Sequence, residues 1–318
     1  MALTDLLLQG TQMGASDMFL IAGCPPSYRK DSVVIQQQGP AALTVGEVEG
    51  LVQEIYALTK GRPIARLLED GDDDFSFSVP GIGRFRANTF RQRGSLAAVI
   101  RIVMFTMPNP VSLGIPQTVM GLTETGKGLI LVTGPAGSGK STTLACMVDK
   151  INTERAAHIL TMEDPIEFIH RHKKSVVTQR EINGDTKDYA SALRAGLRQS
   201  PDVILIGEMR DFETIEIGVT AAETGQLVLS TLHTTGAANT IDRILDIFPS
   251  NQQHQIRIQL SMVLRAVVSQ QLIPSVDGSL VSAFEIMVLT PAIRNMIRES
   301  KIHQIDSAIF AGAAFGMV

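Results

Sequence analysis

The chain has 318 residues, 44% hydrophobic and 19% charged, with a formal net charge of −4. That length accommodates two ordinary domains, and the negative balance supplies no global basic field, so nucleic-acid binding is not expected. No apolar run approaches the ~20 residues that span a bilayer, no basic stretch followed by an apolar one opens the chain, and Cys24 and Cys146 are too far apart for a C-x-x-C pair. These features suit a protein of the reducing cytoplasm that reaches a membrane only through partners.

Residues 1–105 alternate short strand and helix signals. Val45 to Thr59 predicts an amphipathic helix that ends at Lys60-Gly61, with Thr44 as its N-cap. The acidic run Glu69-Asp70-Gly71-Asp72-Asp73-Asp74 reads as a solvated turn. Phe75 to Val79 alternates at period two, Pro80-Gly81-Ile82-Gly83 turns, and Arg84 to Phe90 alternates again, which together predict a β-hairpin. Arg84, Arg86, Arg91 and Arg93 have two readings: exposed pairs that balance the acidic run, or groups that reach a nucleotide's phosphates across a domain or subunit boundary. Strict alternation puts Arg84 and Arg86 on one face and Arg91 and Arg93 on the other, so the four share one job only if the strand bends. Between Met107 and Pro116 lie three prolines and a glycine, which mark a hinge over 106–117 ahead of a second domain at 118–318.

The second domain opens with Gly128 to Thr133, a buried strand, followed by Gly134-Pro135-Ala136-Gly137-Ser138-Gly139-Lys140-Ser141 and a helix from Thr142 to Lys150. The octapeptide satisfies G-x-x-x-x-G-K-[ST]. Its glycines let backbone approach phosphate oxygens, Lys140 reaches the β- and γ-phosphates, Ser141 offers a hydroxyl to Mg²⁺, and the helix entered through Thr142 points its N-terminus at the anion. A nucleoside triphosphate with Mg²⁺ is therefore the expected ligand.

Hydrolysis needs carboxylates beside the γ-phosphate. Two strands supply them at their ends: Ala157 to Met162 leads to Glu163-Asp164-Pro165-Ile166-Glu167, and Pro201 to Gly207 leads to Glu208-Met209-Arg210-Asp211. A third, Gly225 to Leu232, ends at His233. In a parallel α/β sheet the carboxyl ends of strands face the ligand crevice, so Glu163, Glu208 and His233 would converge there, His233 as a γ-phosphate contact or sensor. His170, His172, Lys173 and Lys174 read instead as a solvated face. Tyr189 to Arg198 has helical spacing with a Leu193, Leu197 stripe; Arg194 and Arg198 are either ordinary surface charges or face a neighbour. Thr290-Pro291 offers an N-cap and first turn to Ala292 to Glu299, whose apolar stripe is Ile293, Met296 and Ile297.

In order and spacing these motifs resemble the secretion-type, RecA-like hexameric ATPases, and within them the PilT-type motors that retract type IV pili. The likeness rests on the Walker A loop Gly134 to Ser141, the Asp box Glu163 to Glu167, the atypical Walker B stretch Ile204 to Asp211 and the His box Ser230 to Thr235. Ala292-Ile293-Arg294-Asn295-Met296-Ile297-Arg298-Glu299 is similar to the Ala-Ile-Arg-Asn-Leu-Ile-Arg-Glu motif linked to retraction. The resemblance implies an α/β protein with a RecA-like P-loop ATPase core behind a smaller PAS-like α/β domain at 1–105. It implies Glu163 activating water, Glu208 on the metal side directly or through water, His233 near the γ-phosphate, and hairpin arginines among Arg86, Arg91 and Arg93 completing the site. A homohexamer at the cytoplasmic face of the inner membrane, partnered by the pilus machine's platform protein and without direct membrane insertion, follows from the same likeness.

Departures from the family pattern are Ser16-Asp17-Met18-Phe19, which lacks a histidine common there, and Gln199-Ser200 in place of an acidic pair; the sequence also stops at Phe315-Gly316-Met317-Val318, short of a final helix expected in many relatives. Extension ATPases of the same machine carry a tetracysteine zinc site that two cysteines cannot build. The rival readings are a RecA-like nucleic-acid motor such as a helicase, and an accessory or extension member of the pilus or type II secretion ATPases.

Overall fold

The computed structural model describes residues 2–30, 33–37, 39, 41–59, 61–103, 107–276 and 280–318. It forms two compact units, Met1–Phe105 and Thr106–Val318. Lys60, at the expected end of the first helix, and Thr106, at the start of the expected hinge, lie outside the described residues.

The first unit holds α1 (Leu3–Gln12), β1 (Asp17–Leu20), β2 (Ser27–Lys30), β3 (Val33–Gln36), α2 (Val45–Ala57), α3 (Ala65–Asp70), β4 (Asp72–Val79), β5 (Gly83–Gln92) and β6 (Ser95–Val103). Its strands make one six-stranded sheet in the order β3-β2-β1-β6-β5-β4, antiparallel throughout. Leu3, Leu6 and Leu7 of α1 and Val48, Val52 and Ile55 of α2 share its core with Met18, Phe85 and Ile100. Thr44 caps α2 through a reciprocal box: its hydroxyl accepts the Glu47 N–H at 3.3 Å and Glu47 Oε2 accepts the Thr44 N–H at 2.7 Å. Thr44→Ala is expected to cost ~1 kcal/mol of stability in this unit, read as a lower midpoint of urea unfolding; an unchanged midpoint would make the box ornamental.

The acidic run is not a solvated turn. Only Gly71, at φ 87°, makes the turn after α3; Asp72, Asp73 and Asp74 already belong to β4, whose period-two pattern carries Asp73 inward with Phe75 and Phe77. Asp73 is tolerated there because Arg62 Nη2 pairs with it at 2.5 Å and the Tyr56 hydroxyl donates at 2.9 Å. Burial pushes its carboxyl up, and these partners outweigh that and hold it below its ordinary range. Across the hairpin Phe77 faces Phe85 and Asp74 faces Asn88. Arg84 and Arg86 lie in outward register, Arg86 paired with Asp74 at 2.6 Å. Arg91 falls in the alternate register, and Arg93, at φ 49°, forms with Gly94, at φ 81°, the tight turn between β5 and β6. The alternation therefore ends before it can pair Arg93 with Arg91.

The second unit contains α4 (Gln117–Gly121), β7 (Gly128–Thr133), α5 (Lys140–Glu154), β8 (His158–Glu163), β9 (Val176–Glu181), α6 (Tyr189–Gly196), β10 (Val203–Ile206), α7 (Phe212–Thr224), β11 (Leu227–Leu232), α8 (Ala237–Ile247), α9 (Gln253–Val263), β12 (Leu264–Pro274), β13 (Leu280–Val288), α10 (Pro291–Arg298) and α11 (Ile305–Phe310). A seven-stranded sheet runs β13-β12-β7-β11-β10-β8-β9, parallel from β12 to β9 and closed by antiparallel β13. β7, β10 and β11 are buried along their whole length, as central parallel strands covered on both faces must be. In the segment 107–116, Pro108 accepts a hydrogen bond from the Cys146 thiol of α5 at 3.4 Å, and Ile115 is buried. Thr290 caps α10 by accepting the Ile293 N–H at 3.2 Å, and Ile293 and Ile297 are buried beneath it, with Met296 packed at their edge.

Candidate nucleotide site

β7 ends at the phosphate loop, and the loop's shape depends on two features of its glycines. Gly134 sits at φ 141°, and a Cβ there would come within 2.1 Å of the Gln270 carbonyl of β12; no other residue fits against that strand. Gly137 and Gly139 adopt φ 76° and 88°, the left-handed geometry that turns successive N–H groups to one side. Lys140, 8% exposed, folds back over the loop, its Nζ donating to the Gly134 and Pro135 carbonyls at 2.8 Å each. Burial lowers the ammonium pKa, with Glu208 and Glu167 pulling in the opposite direction. Ser138 Oγ is buried with no hydrogen-bond partner. A loop with inward amides, a lysine, an unpaired hydroxyl and the N-terminus of α5 is a site built for phosphate oxygens.

The cavity over this loop has a volume of about 400 Å³, and Ser141, Glu163, Glu167, Glu208 and His233 line it. Thr142 lines it as well, one residue deeper in α5. Gly134 to Ser141, Glu163, Glu208 and His233 thus meet at the carboxyl ends of β7, β8, β10 and β11. Arg86, Arg91 and Arg93 belong to the first unit.

Each wall residue is held by its own partners. Glu163, half-buried, receives the Thr161 hydroxyl at 2.6 Å and the Gln179 amide at 3.2 Å, both on Oε1. Burial raises its pKa to about 7; these donors and the Glu167 N–H pull the other way. Glu208 pairs with Arg210 at 2.6 Å and lies 3.2 Å from His233 Nε2. Its burial favours the neutral form, but Arg210 and His233 win and lower its pKa. Ser141 Oγ donates to Glu167 Oε1 at 3.1 Å. The hydroxyl and carboxylate oxygens of Ser141 and Glu208 are the hard donors that Mg²⁺ takes.

Sequence reasoning missed several of these groups. Glu167 lay within the acidic box but had no role. Thr161 sits two residues before Glu163 and so shares its face of β8; Gln179 of β9 is brought beside Thr161 by the parallel register, which no local pattern announces. Gln270 is buried, and its Oε1 accepts the Thr143 hydroxyl at 2.7 Å. A glutamine inside the apolar run of β12 was the available signal.

His170 is a correction. It is 7% exposed and lines the cavity rather than a solvated face, because its backbone N–H is drawn inward to Gln179 Oε1 at 2.8 Å. Burial pushes the imidazole down to about 4, so it is neutral at physiological pH. His172 Nδ1 accepts the Val177 N–H at 3.0 Å, and Lys173 pairs with Asp149 at 2.8 Å. On α6, Arg194 pairs with Glu213 of α7, and in the 3-10 turn Leu197–Gln199 that follows, Arg198 Nη1 donates to the Arg194 carbonyl at 2.8 Å.

Residues 25–309 match the family model described as Type II/IV secretion system protein. The chain is 47% identical to the type IV pilus retraction ATPase PilT of Pseudomonas aeruginosa over 317 residues, covering 100% of this chain and 91% of that one. It is 51% identical over 245 residues to a twitching motility protein of Neisseria gonorrhoeae, covering 77% of this chain and 66% of that one. Among solved structures, the pilus retraction motor PilT with bound ADP superposes with a TM-score of 0.89 at 48% identity, covering 97% of this chain and 89% of that one.

Proposed function

The chain belongs to the Type II/IV secretion system protein family, and from that premise we propose that it is an ATP-hydrolysing ring motor that retracts a type IV pilus. The observation that carries this reading is the convergence of the phosphate loop, Glu163, Glu208 and His233 on one cavity. The likeness to retraction ATPases extends over the whole chain, and the stretch similar to the retraction-linked motif, Ala292 to Glu299, forms the helix Pro291–Arg298 and its C-cap.

In this reading the Gly134 to Ser141 loop and Thr142 hold the triphosphate, with Lys140 on the β- and γ-phosphates. Mg²⁺, held by Ser141 and Glu208 directly or through water, would neutralise charge on the phosphate oxygens. Glu163 orients a water and takes its proton. The water oxygen bonds to the γ-phosphorus as the bond from that phosphorus to the bridging oxygen breaks; the pair of electrons leaves with ADP, and the released group is inorganic phosphate. His233, beside Glu208, reads the γ-phosphate. Arg86, Arg91 and Arg93 are the candidates to stabilise charge from a neighbouring copy, which is why the reading includes a homohexamer; Arg91 and Arg93 are exposed, and Arg86 pairs with Asp74.

Among the described residues no helix is long and apolar enough to cross a membrane. We place the motor at the cytoplasmic face of the inner membrane, working on the platform protein of the pilus machine. Purified protein is expected to hydrolyse ATP at a rate that DNA does not change and to elute as a hexamer by light scattering. Stimulation by DNA would favour a nucleic-acid motor, and nucleotide binding with negligible turnover would favour an accessory role.

A further inference from the structure

Gln179 enters none of the roles above, yet two backbone groups fix its amide. Its Oε1 accepts the His170 N–H at 2.8 Å, and its Nε2 donates to the Phe168 carbonyl at 2.9 Å. Exchanging oxygen and nitrogen would set oxygen against a carbonyl and NH₂ against an N–H, so the backbone admits one orientation. In that orientation the second amide hydrogen goes to Glu163 Oε1, 3.2 Å from Nε2. Thr161 Oγ1 donates to the same oxygen at 2.6 Å. A carboxylate oxygen has two in-plane lone pairs, and these two donors occupy both.

We propose that Gln179 is a positioning residue for ATP hydrolysis: together with Thr161 it commits Glu163 Oε1 to the protein and, with the Glu167 N–H that also donates to this carboxylate, fixes its plane so that a remaining lone pair of Oε2 receives the proton of the attacking water. The proposal rests on the reading of Glu163 as the base. The water O–H bond breaks, its electrons stay on the oxygen that bonds phosphorus, and the proton passes to Oε2. A carboxylate held by one residue alone would rotate about its terminal torsion, which is broad, and small misplacements of a reacting group cost large factors in rate. The same amide also links Glu163 to the segment 168–170, which brings His170 to the cavity wall. Displacement of that segment is therefore felt at the base.

The test is steady-state ATPase kinetics on the full chain. Gln179→Leu removes the donor to Glu163 and is expected to lower kcat by about tenfold or more while KM for ATP moves by less than about twofold, since nothing that touches the nucleotide has changed. In a Glu163→Gln background, adding Gln179→Leu is expected to change the residual rate little, because both changes act through one carboxylate. Leucine also strands the His170 N–H, so two companions guard against misfolding. Gln179→Glu keeps the acceptor for that N–H and puts a like charge where the donor was; Thr161→Val removes only a hydroxyl. Both are expected to lose kcat at constant KM, and Thr161→Val, which sets no oxygen against the Phe168 carbonyl, is expected to keep a near-parental melting temperature. Folded companions with parental kcat, or a loss of equal size in the Glu163→Gln background, would overturn the proposal. Failure of the underlying reading looks different: Glu163→Gln by itself would then turn over like the parent.

Discussion

Glu163→Gln is expected to bind ATP with parental affinity and to lower kcat by roughly 10²- to 10⁴-fold, the range over which a positioned base accelerates proton transfer. Glutamine keeps the shape and can still occupy the place between Thr161 and Gln179, but it has no lone pair basic enough to take a proton. The parent should also report the ionisation directly. Glu163's pKa is raised from 4.5 to about 7, and a base works only when ionised, so kcat/KM should fall about tenfold per unit as pH drops below about 7. Excess Mg²⁺ keeps the γ-phosphate of ATP ionised across that range. The same shift has the opposite sign for stability. Between 4.5 and about 7 the folded chain binds a proton that the unfolded chain has released, so Glu163's contribution falls as pH rises through that window. A pH profile flat through neutrality would place the ionisation of Glu163 lower than this, and a Glu163→Gln variant with undiminished turnover would remove Glu163 from the chemistry.

Lys140→Ala is expected to weaken ATP binding by roughly 10- to 100-fold, from the loss of hydrogen bonds between an ammonium and phosphate oxygens worth about 1.5–3 kcal/mol. The structure adds a second cost. Lys140 Nζ bonds to the Gly134 and Pro135 carbonyls, so alanine also removes the tie that closes the loop on itself. Titration calorimetry in a Glu163→Gln background, where ATP is not consumed, measures the affinity. Unchanged affinity would refute the phosphate-loop reading.

Much of the core could be read from the chain because its signals are local. The apolar run from Gly128 to Thr133 is a strand from end to end, and the residues at the carboxyl ends of three further strands meet where a parallel sheet must place them. Thr44 and Thr290 both cap the helices they precede. What escaped depends on partners distant in sequence. Asp73 is buried because Arg62 and Tyr56 reach it from α2's side of the sheet, and an acidic run by itself signals only water. His170 turns inward because Gln179 of β9 accepts its N–H, a contact set by strand register. Gln270 reaches the phosphate loop because β12 lies beside β7, although the paired residues of the two strands stand 135 or 136 positions apart in the chain.

Gly134's close approach to β12 has a mechanical side. The loop rests on the Gln270 carbonyl, Gln270 also grips Thr143, and β12 is laddered to β13 from Ala266 to Pro274. β13 runs on through Leu289 and Thr290 into α10. A paired ladder loaded along its strands resists in shear, with many hydrogen bonds sharing the strain, so the path from α10 to the floor of the phosphate loop is a strut and not a tether. A load applied at α10 is therefore expected to reach the phosphate loop through paired strands and not through free chain.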